Sequence, residues 1–482
     1  MKKLLLLILL LIFLFSCTIA PLSDSGSPTD AGDAFVSTTS PEIKPDIPAR
    51  NMGGREFKIL TTGWWTHFPL DVIDVAPGEL NGEVVNDAAY ERKVRVEDQY
   101  NCKIIQIDEA DPAASVTKLQ NSVMANDADY DVALIRGTNF ANLITNGSLL
   151  DLDDMPYVDF EKPWWNKNAY DALALGGKHF GIVGNISTNE MLATWICCFN
   201  KSIIVDFHLD NPYELVKDGI WTINRAASMA KEVSNDINGD GKMDADDSWG
   251  INYTSDTVMG MLNGCGVNIA QLDSAGVPQI TIESEANITK IQRINDVLLN
   301  DTYSVDTLRK FAMAGKDGYI FGDNRCLFLF AATHIVGELR QMDVEFGLIP
   351  YPKYDSDQKD YLSTTSGIFL PILCIPVTIQ DIENTGIFLE AFSYEGNKTV
   401  LPAFYENVLK GKMIRDVESI DMLDYIYSNI TYDTGNLFNF GGFVGTLTSE
   451  LSQGQASSIA SFLASRLTVV QSAIDKMIDE IN

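Results

Sequence analysis

An alternation of short β-type runs and amphipathic helical stretches constrains the fold most. Strands are predicted at Phe57–Thr61, Lys103–Ile107 and Tyr130–Ile135, and helices at Asn86–Tyr100 and Pro112–Asn126 lie between them. Such β-α-β-α-β units build parallel sheets whose ligands collect at the carboxyl ends of the strands. The pattern therefore predicts an α/β fold with parallel-type sheets flanked by helices.

The chain length indicates more than one core. A domain typically contains roughly 100–200 residues. This chain has 482 residues, so we expect two lobes. Residues 200–348 form a second, mainly helical region with a long helix near Asn287–Leu299, and Ala456–Ile481 form a last helix.

The N-terminus has the features of an export signal. Two lysines precede the apolar run Leu4–Phe15, which is too short to span a bilayer and is typical of a signal peptide. Leu14–Cys17 resembles the lipobox of bacterial lipoproteins, in which the cysteine is diacylated. We expect residues 1–16 to be removed and Cys17 to be lipidated. The alternative is a plain secretory signal with an incidental cysteine.

A flexible tether follows the anchor. Residues 17–53 are rich in Ser, Thr, Asp and Gly and include Pro21, Pro28, Pro41, Pro45 and Pro48. No later segment of the sequence approaches 18 uninterrupted apolar residues. We therefore expect an extracytoplasmic protein that touches the bacterial cell membrane only through its N-terminal lipid.

The charge balance excludes one class of partner. The sequence contains 35 Lys and Arg residues and 66 Asp and Glu residues. The resulting net charge of −31 repels phosphate backbones at long range. Nucleic acid is therefore not an expected partner.

The cysteines after the lipobox indicate packing rather than metal binding. They lie mostly in apolar runs, and no C-x-x-C pair occurs. A free thiol in such a run behaves as a small buried hydrophobe. We expect free thiols at Cys102, Cys197, Cys198, Cys265, Cys326 and Cys374.

Residues 236–247 match the ligand spacing of an EF-hand-type calcium loop. Gly241 at the sixth position allows the turn that points the oxygen ligands inward. Aspartate at the last position and the apolar Met243 resemble the loops of dockerin modules. We expect one structural Ca²⁺, bound by the carbonyl of Lys242 and the side chains of Asp236, Asn238, Asp240, Asp244 and Asp247. An acidic turn without metal is the alternative.

Most recognised catalytic signatures are absent from the sequence. The chain has four histidines, and neither H-E-x-x-H nor G-x-S-x-G nor a phosphate-binding glycine motif occurs. A glycosidase pair remains open among the 66 acidic residues, because carboxylate separation is a matter of space. We expect a protein that is not an enzyme.

The tryptophans indicate a carbohydrate platform. All seven precede residue 250, and Trp64-Trp65 and Trp164-Trp165 are adjacent pairs. Adjacent side chains of extended backbone face opposite ways, so each pair can supply one core ring and one cleft ring. Trp64 and Trp65 also lie just past a predicted strand end. Ordinary core packing is the alternative for any single tryptophan.

Five stretches carry a resemblance to a known family: Gly82–Arg92, Asp218–Thr222, the calcium loop closing at Trp249-Gly250, Phe346–Asp355 and Pro402–Lys412. With the lipobox, the tether and the β-α-β start, they resemble extracellular solute-binding protein family 1. This family comprises sugar-binding lipoproteins of bacterial ABC importers and includes maltose-binding protein. The resemblance covers roughly residues 54–440. The run Gly322–Phe328 departs from the family pattern, so Arg325 is assigned no ligand role.

The resemblance implies a two-lobed periplasmic-binding-protein-like fold with hinge strands between the lobes. Lobe 1 would contain residues 54–190 and 372–430, and lobe 2 residues 191–371 and 431–482. Crossings are expected near Ser187–Thr194 and Thr364–Leu370. A sugar or oligosaccharide would bind in the cleft, and the membrane subunits of an ABC importer would receive it.

Strand ends and the loops after them supply the predicted cleft residues. Lobe 1 would contribute Trp64, Trp65, His67, Glu83, Arg136 and Asn139. Lobe 2 would contribute Trp221 and Trp249, for which a place in the core is the alternative. We expect a monomeric carbohydrate-binding protein. The alternatives are a secreted calcium-stabilised glycoside-degrading enzyme and a polysaccharide-adhesion module.

The lipobox yields the first testable prediction. Cys17→Ala removes the only proposed acylation site, so the protein should leave the membrane fraction and lose its partitioning into detergent. Cys102→Ala, which changes a predicted buried thiol, is the control. Unchanged detergent partitioning of the Cys17 variant would show that no lipid is attached there.

Overall fold

The computed structural model describes residues 42–62, 74–311, 319–414 and 416–481. The chain from Lys44 onward forms one compact unit. The predicted signal peptide, Cys17 and most of the predicted tether lie outside the described residues. Within the described ranges, no helix is long and apolar enough to cross a membrane.

The strands of the described residues form two main sheets and two short ribbons. In chain order they are β1 (Arg55–Thr62), β2 (Cys102–Glu109), β3 (Val132–Arg136), β4 (Ala174–Leu175), β5 (Lys178–His179), β6 (Trp195–Asn200), β7 (Trp249–Tyr253), β8 (Ala270–Leu272), β9 (Pro278–Ile280), β10 (Ser304–Asp306), β11 (Cys326–Ala332), β12 (Phe346–Ile349) and β13 (Pro371–Cys374).

Each main sheet combines parallel and antiparallel neighbours. The four-stranded sheet has the order β13-β3-β1-β2, in which β1 runs parallel to β2 and β3 while β13 is antiparallel to β3. The five-stranded sheet has the order β10-β7-β11-β6-β12, in which β7 runs parallel to β10 and β11 while β6 is antiparallel to β11 and β12. The predicted α/β class is confirmed.

Helices flank both sheets. They are α1 (Val84–Tyr100), α2 (Pro112–Met124), α3 (Gly137–Thr145), α4 (Lys167–Ala172), α5 (Asn189–Ala193), α6 (Lys201–Asp206), α7 (Pro212–Lys217), α8 (Ile223–Val233), α9 (Val258–Gly264), α10 (Glu285–Leu298), α11 (Thr307–Phe311), α12 (Tyr319–Gly322), α13 (Ile335–Leu339), α14 (Ile382–Glu395), α15 (Val417–Ser428), α16 (Thr434–Phe438), α17 (Phe443–Gln453) and α18 (Ile459–Ile481). Tighter 3-10 turns occur at Leu152–Asp154, Ser255–Thr257 and Phe440–Gly442, and wider π-type turns at Gly396–Val400 and Ala403–Met413.

Local sequence explains the predicted β-α-β-α-β start, which is confirmed. The Asp111 carboxylate accepts a hydrogen bond from the Ala113 N–H and caps α2, whose first residue is Pro112. Asn101 ends α1 in the left-handed conformation, with φ of 50°, and lets the chain turn directly into β2. The six described cysteines are free and buried, as predicted.

Three segments beside the sheets pair with one another. Thr194 and Thr365 form an antiparallel bridge, and the Trp195 N–H donates to the Thr364 carbonyl at 2.9 Å. A third segment joins them, because the Thr431 N–H donates to the Ser363 carbonyl at 2.7 Å. The two predicted crossing regions therefore lie side by side. The third segment was not anticipated from the sequence.

The packing of residues 400–428 bears on the predicted lobe boundaries, which stay a prediction. The predicted boundaries placed residues 372–430, which include this segment, in lobe 1 with residues 54–190. In the structure α15 packs on β12 of the five-stranded sheet, where the Ser419 hydroxyl accepts from the Leu348 N–H at 3.0 Å. Residues 400–409 pack against both α1 and this second sheet.

A buried arginine on α1 contacts the segment that leads to the first predicted crossing. The Arg92 guanidinium is fully buried and lies 4.0 Å over the Phe392 ring. It donates to the Asp74 carbonyl at 2.7 Å and to the Ile186 carbonyl at 3.1 Å. The Asp74 carboxylate accepts from the Thr188 hydroxyl at 2.9 Å, and burial raises its pKa. Together these contacts tie α1 to residues 185–188.

Arg92→Met should destabilise the fold strongly. Removing one partner of a buried charge network commonly costs about 3–5 kcal/mol of unfolding free energy, because the remaining polar groups stay buried without compensation. Glu91→Met, on the same helix but with an exposed side chain, should change the unfolding free energy by about 0.5 kcal/mol or less. Urea denaturation measures both. Equal losses would contradict the role given to Arg92.

Candidate ligand-binding site

A cavity lies where strand ends of both sheets meet the paired segments at residues 193–195 and 363–366. Thr138 lies two residues beyond β3, Asp256 lies three residues beyond β7, and Trp195 begins β6. The cavity has a volume of about 120 Å³. Its described lining is Thr138, Trp195, Asp256, Met259, Ser366, Gly367, Ile368, Asn436, Asn439, Val444, Gly445 and Thr448. Carboxyl ends of strands are the usual ligand position in α/β sheets.

Two glycines allow the end of β3 to approach the segment before β13 at one side of the cavity. A side-chain carbon on Gly137 would lie 2.9 Å from the Gly367 carbonyl oxygen. The close approach lets the Gly137 N–H donate to the Leu370 carbonyl and the Thr138 N–H donate to the Gly367 carbonyl, at 3.0 and 3.1 Å. These bonds hold the end of β3 against the segment before β13.

The cavity wall combines an apolar surface with a few polar groups. Trp195, Met259, Ile368 and Val444 supply the apolar part. The buried indole N–H of Trp195 has no hydrogen-bond partner in the described part of the chain. A buried donor without a partner is costly, so an acceptor from a ligand would stabilise it.

The charged group in the described lining is Asp256. Its side chain is half-buried, and its carboxylate accepts no hydrogen bond from the described residues. Burial raises its pKa, and the nearby Arg309 partly offsets that rise. Arg309 itself pairs with Asp306, with 3.4 Å between Nε and a carboxylate oxygen.

Two predicted residues flank the cavity. Arg136 ends β3 and is half-buried, and desolvation lowers its pKa. Asn139 donates to the Pro112 carbonyl at 3.3 Å and accepts from the Thr138 hydroxyl at 3.1 Å. Neither belongs to the described lining, whereas Thr138 between them does. Glu83 precedes α1 with its side chain 65% exposed, 3.9 Å from Lys412.

The remaining predicted cleft residues divide into buried and undescribed ones. Trp64, Trp65 and His67 lie outside the described residues. Trp221 and Trp249 are both fully buried. Their indole N–H groups donate to backbone carbonyls of Pro350 and Asp244, at 3.0 and 2.8 Å. Both therefore occupy the core position that was the alternative, since the Trp221 ring packs against Phe328 and the Trp249 ring against Phe311.

Sequence reasoning missed most of the lining. Trp195 stood in an apolar run and carried no sign of a cleft position. Asn436, Asn439 and Thr448 come from the C-terminal helices, which carry no motif. Only the placement of Thr138 just past a predicted strand was a usable signal.

The predicted calcium loop is held by its own backbone. The Asp236 carboxylate accepts from the Gly239 and Gly241 N–H groups, at 2.6 and 2.8 Å. The fully buried Asp247 carboxylate accepts from the Ile237 and Asp244 N–H groups, at 2.9 and 2.8 Å. These bonds turn the loop side chains toward its interior.

Two residues outside the predicted ligand set anchor this loop to the second sheet. The Arg325 guanidinium donates to the Ala245 carbonyl and, at 3.2 Å, to the Asp247 carbonyl. The Trp249 indole donates to Asp244. No three His, Cys, Asp or Glu side chains of the described residues converge into a ready-made metal cluster.

Comparison with known proteins identifies the fold. No protein-family model matches the chain, and no curated protein is similar to it in sequence. Solved structures do match. An ABC substrate-binding protein from Listeria monocytogenes in complex with cycloalternan is 14% identical, with a TM-score of 0.53 over 89% of this chain and 99% of that one.

Two further structures are similar. UspC of M. tuberculosis is 13% identical, with a TM-score of 0.56 over 87% of this chain and 100% of its own. The galacto-N-biose-/lacto-N-biose I-binding protein of the Bifidobacterium longum ABC transporter, in complex with lacto-N-biose, is 12% identical, with a TM-score of 0.54 over 88% and 98%. The chain thus has the two-lobed, periplasmic-binding-protein-like α/β fold, as predicted.

Proposed function

We propose that the protein is an extracytoplasmic solute-binding protein that captures a carbohydrate between two lobes and delivers it to an ABC importer. The observation that carries the proposal is the position of the cavity. It lies at the carboxyl ends of β3 and β7, beside the paired crossing segments. In such folds this is the place where a ligand contacts both halves.

The cavity chemistry suits a sugar. A sugar presents apolar C–H faces and a ring of hydroxyl groups. Trp195 and Met259 offer the apolar contact, while Asn436, Asp256 and Thr138 offer donors and acceptors. The structural neighbours include proteins solved with cycloalternan and lacto-N-biose, which supports a carbohydrate ligand here.

Capture would proceed by closure of the two halves. The chain passes between them in segments that pair through backbone hydrogen bonds at 193–195, 363–366 and 430–431. A few such residues can absorb the dihedral changes of a rigid-body closure. Trp64, Trp65, His67, Glu83, Arg136 and Asn139 are the proposed additional ligand contacts.

The cellular setting completes the proposal. The protein would act as a monomer. Its signal peptide, residues 1–16, would be removed, and a lipid on Cys17 would hold the mature chain to the bacterial cell membrane. The importer's membrane subunits would receive the sugar from the closed form. A glycoside-degrading enzyme would instead turn over the sugar, and an adhesion module would hold insoluble polysaccharide without closing.

A thermal-shift screen of mono- and oligosaccharides tests this function. A sugar that binds only the native state should raise the melting temperature of the protein and be recovered unchanged. Asn436→Ala should then weaken binding roughly threefold to tenfold, the effect of losing one hydrogen bond. Asn146→Ala, at the exposed end of α3, should bind normally. Turnover of the sugar, or equal affinity of all three proteins, would contradict the proposal.

We also propose one structural Ca²⁺ in the loop at residues 236–247. Each oxygen of Asp236 and Asp247 accepts one N–H and retains a lone pair that can face a cation. The specific observation is that Asp247 is fully buried, and a buried carboxylate needs a compensating charge. Bound calcium would supply that charge and tighten the loop against the second sheet.

Calorimetry with calcium tests the loop. The wild-type protein should bind one Ca²⁺ at millimolar concentration or below, since weak extracellular sites have dissociation constants of about 0.1–1 mM. Its melting temperature should be higher in the presence of the ion. Asp240→Ala should abolish both effects and leave sugar binding in place, since no loop residue belongs to the described cavity lining. Asp246→Ala, a non-ligand in the same loop, is the matched control. Absence of calcium binding at millimolar concentration would refute the site.

A further inference from the structure

The described part of the cavity wall carries charge of one sign, which is negative. Of the twelve described residues that line the cavity, Asp256 alone carries a charge. No lysine, arginine or histidine belongs to this described lining. A ligand that contacts these twelve residues therefore meets one carboxylate and otherwise neutral groups.

The Asp256 carboxylate is available to a ligand. It makes no hydrogen bond with the described residues, and its side chain is only partly exposed to solvent. The Arg309 guanidinium attracts this carboxylate, but it already pairs with Asp306, whose carboxylate also accepts from the Arg309 backbone N–H at 3.1 Å. Two carboxylates therefore share one guanidinium, and the cluster of these three residues keeps a net negative charge.

This arrangement affects different sugars differently. A hydroxyl or ammonium group donates a charge-assisted hydrogen bond to a partly desolvated carboxylate, which is roughly twice as strong as a neutral one. A ligand carboxylate in the same place would add like-charge repulsion and lose its own hydration. Discrimination of this kind depends on a repulsive element as much as on an attractive one.

We propose that Asp256 is the residue that sets the charge specificity of the site, so that the protein accepts neutral and amine-bearing sugars and rejects sugar acids. This inference rests on the proposed sugar-binding function and adds its substrate class. The overall net charge of −31 also disfavours anions at long range. A test must therefore separate this general field from the local contact.

The experiment is isothermal titration of the mature protein with matched sugars. Glucose, galactose and mannose are each compared as the neutral hexose, the 2-amino sugar and the uronate. The variants are Asp256→Asn, which keeps shape and removes charge, and Asp256→Ser, which guards against a misfolded first variant. Asp301→Asn removes the same charge from an exposed loop and serves as the control.

For the hexose series that binds, the wild type and Asp301→Asn should bind the uronate at least tenfold more weakly than the neutral sugar. Both Asp256 variants should bring that ratio to about threefold or less and should lose the preference for the amine. An unchanged ratio in folded Asp256 variants, or an equal change in Asp301→Asn, overturns the specificity role and leaves sugar binding intact. A wild type that binds the uronate best also overturns it. Binding of none of the nine sugars by any of the proteins overturns this inference and counts against the proposed function itself.

Discussion

The short antiparallel pairing between residues 193–195 and 364–366 is the interaction on which the structure depends. Its backbone bonds, including Trp195 to Thr364 at 2.9 Å and Ser366 to Ala193 at 2.8 Å, join the start of β6 to the segment before β13. These two strands belong to different sheets. The pairing therefore sets the position of one sheet relative to the other, and the cavity forms beside it.

The site follows from that join. Trp195 lies at the pairing itself, while Thr138 and Asp256 follow strands whose direction is set by parallel neighbours. Backbone hydrogen bonds hold the first of these ends in place, because Gly137 has no side chain to separate it from Gly367. Part of the cavity wall is thus built from strand ends. The Asp256 carboxylate lies on this wall and has no hydrogen-bonding partner among the described residues.

Periodic features of the chain were readable in advance. The strands and helices from Phe57 to Ile135 were predicted within a few residues, because short β-type runs, helical spacing of apolar residues and the Asp111-Pro112 cap are local signals. Trp221 and Trp249 were ambiguous, since a tryptophan suits a core and a sugar equally well. The part of the cavity supplied by Asn436, Asn439 and Thr448 was not readable, because single polar residues on C-terminal helices carry no pattern.

The sequence by itself determined the α/β class, the two regions of strand and helix order, and the spacing of the calcium loop, because these depend on residues near one another in the chain. Only the tertiary structure decided which polar groups share a cavity. Thr138, Trp195, Asp256 and Asn436 are separated by 57, 61 and 180 positions along the chain. Sheet order and the pairing of residues 193–195 with residues 364–366 bring them together, and such long-range pairing leaves no local trace in the sequence.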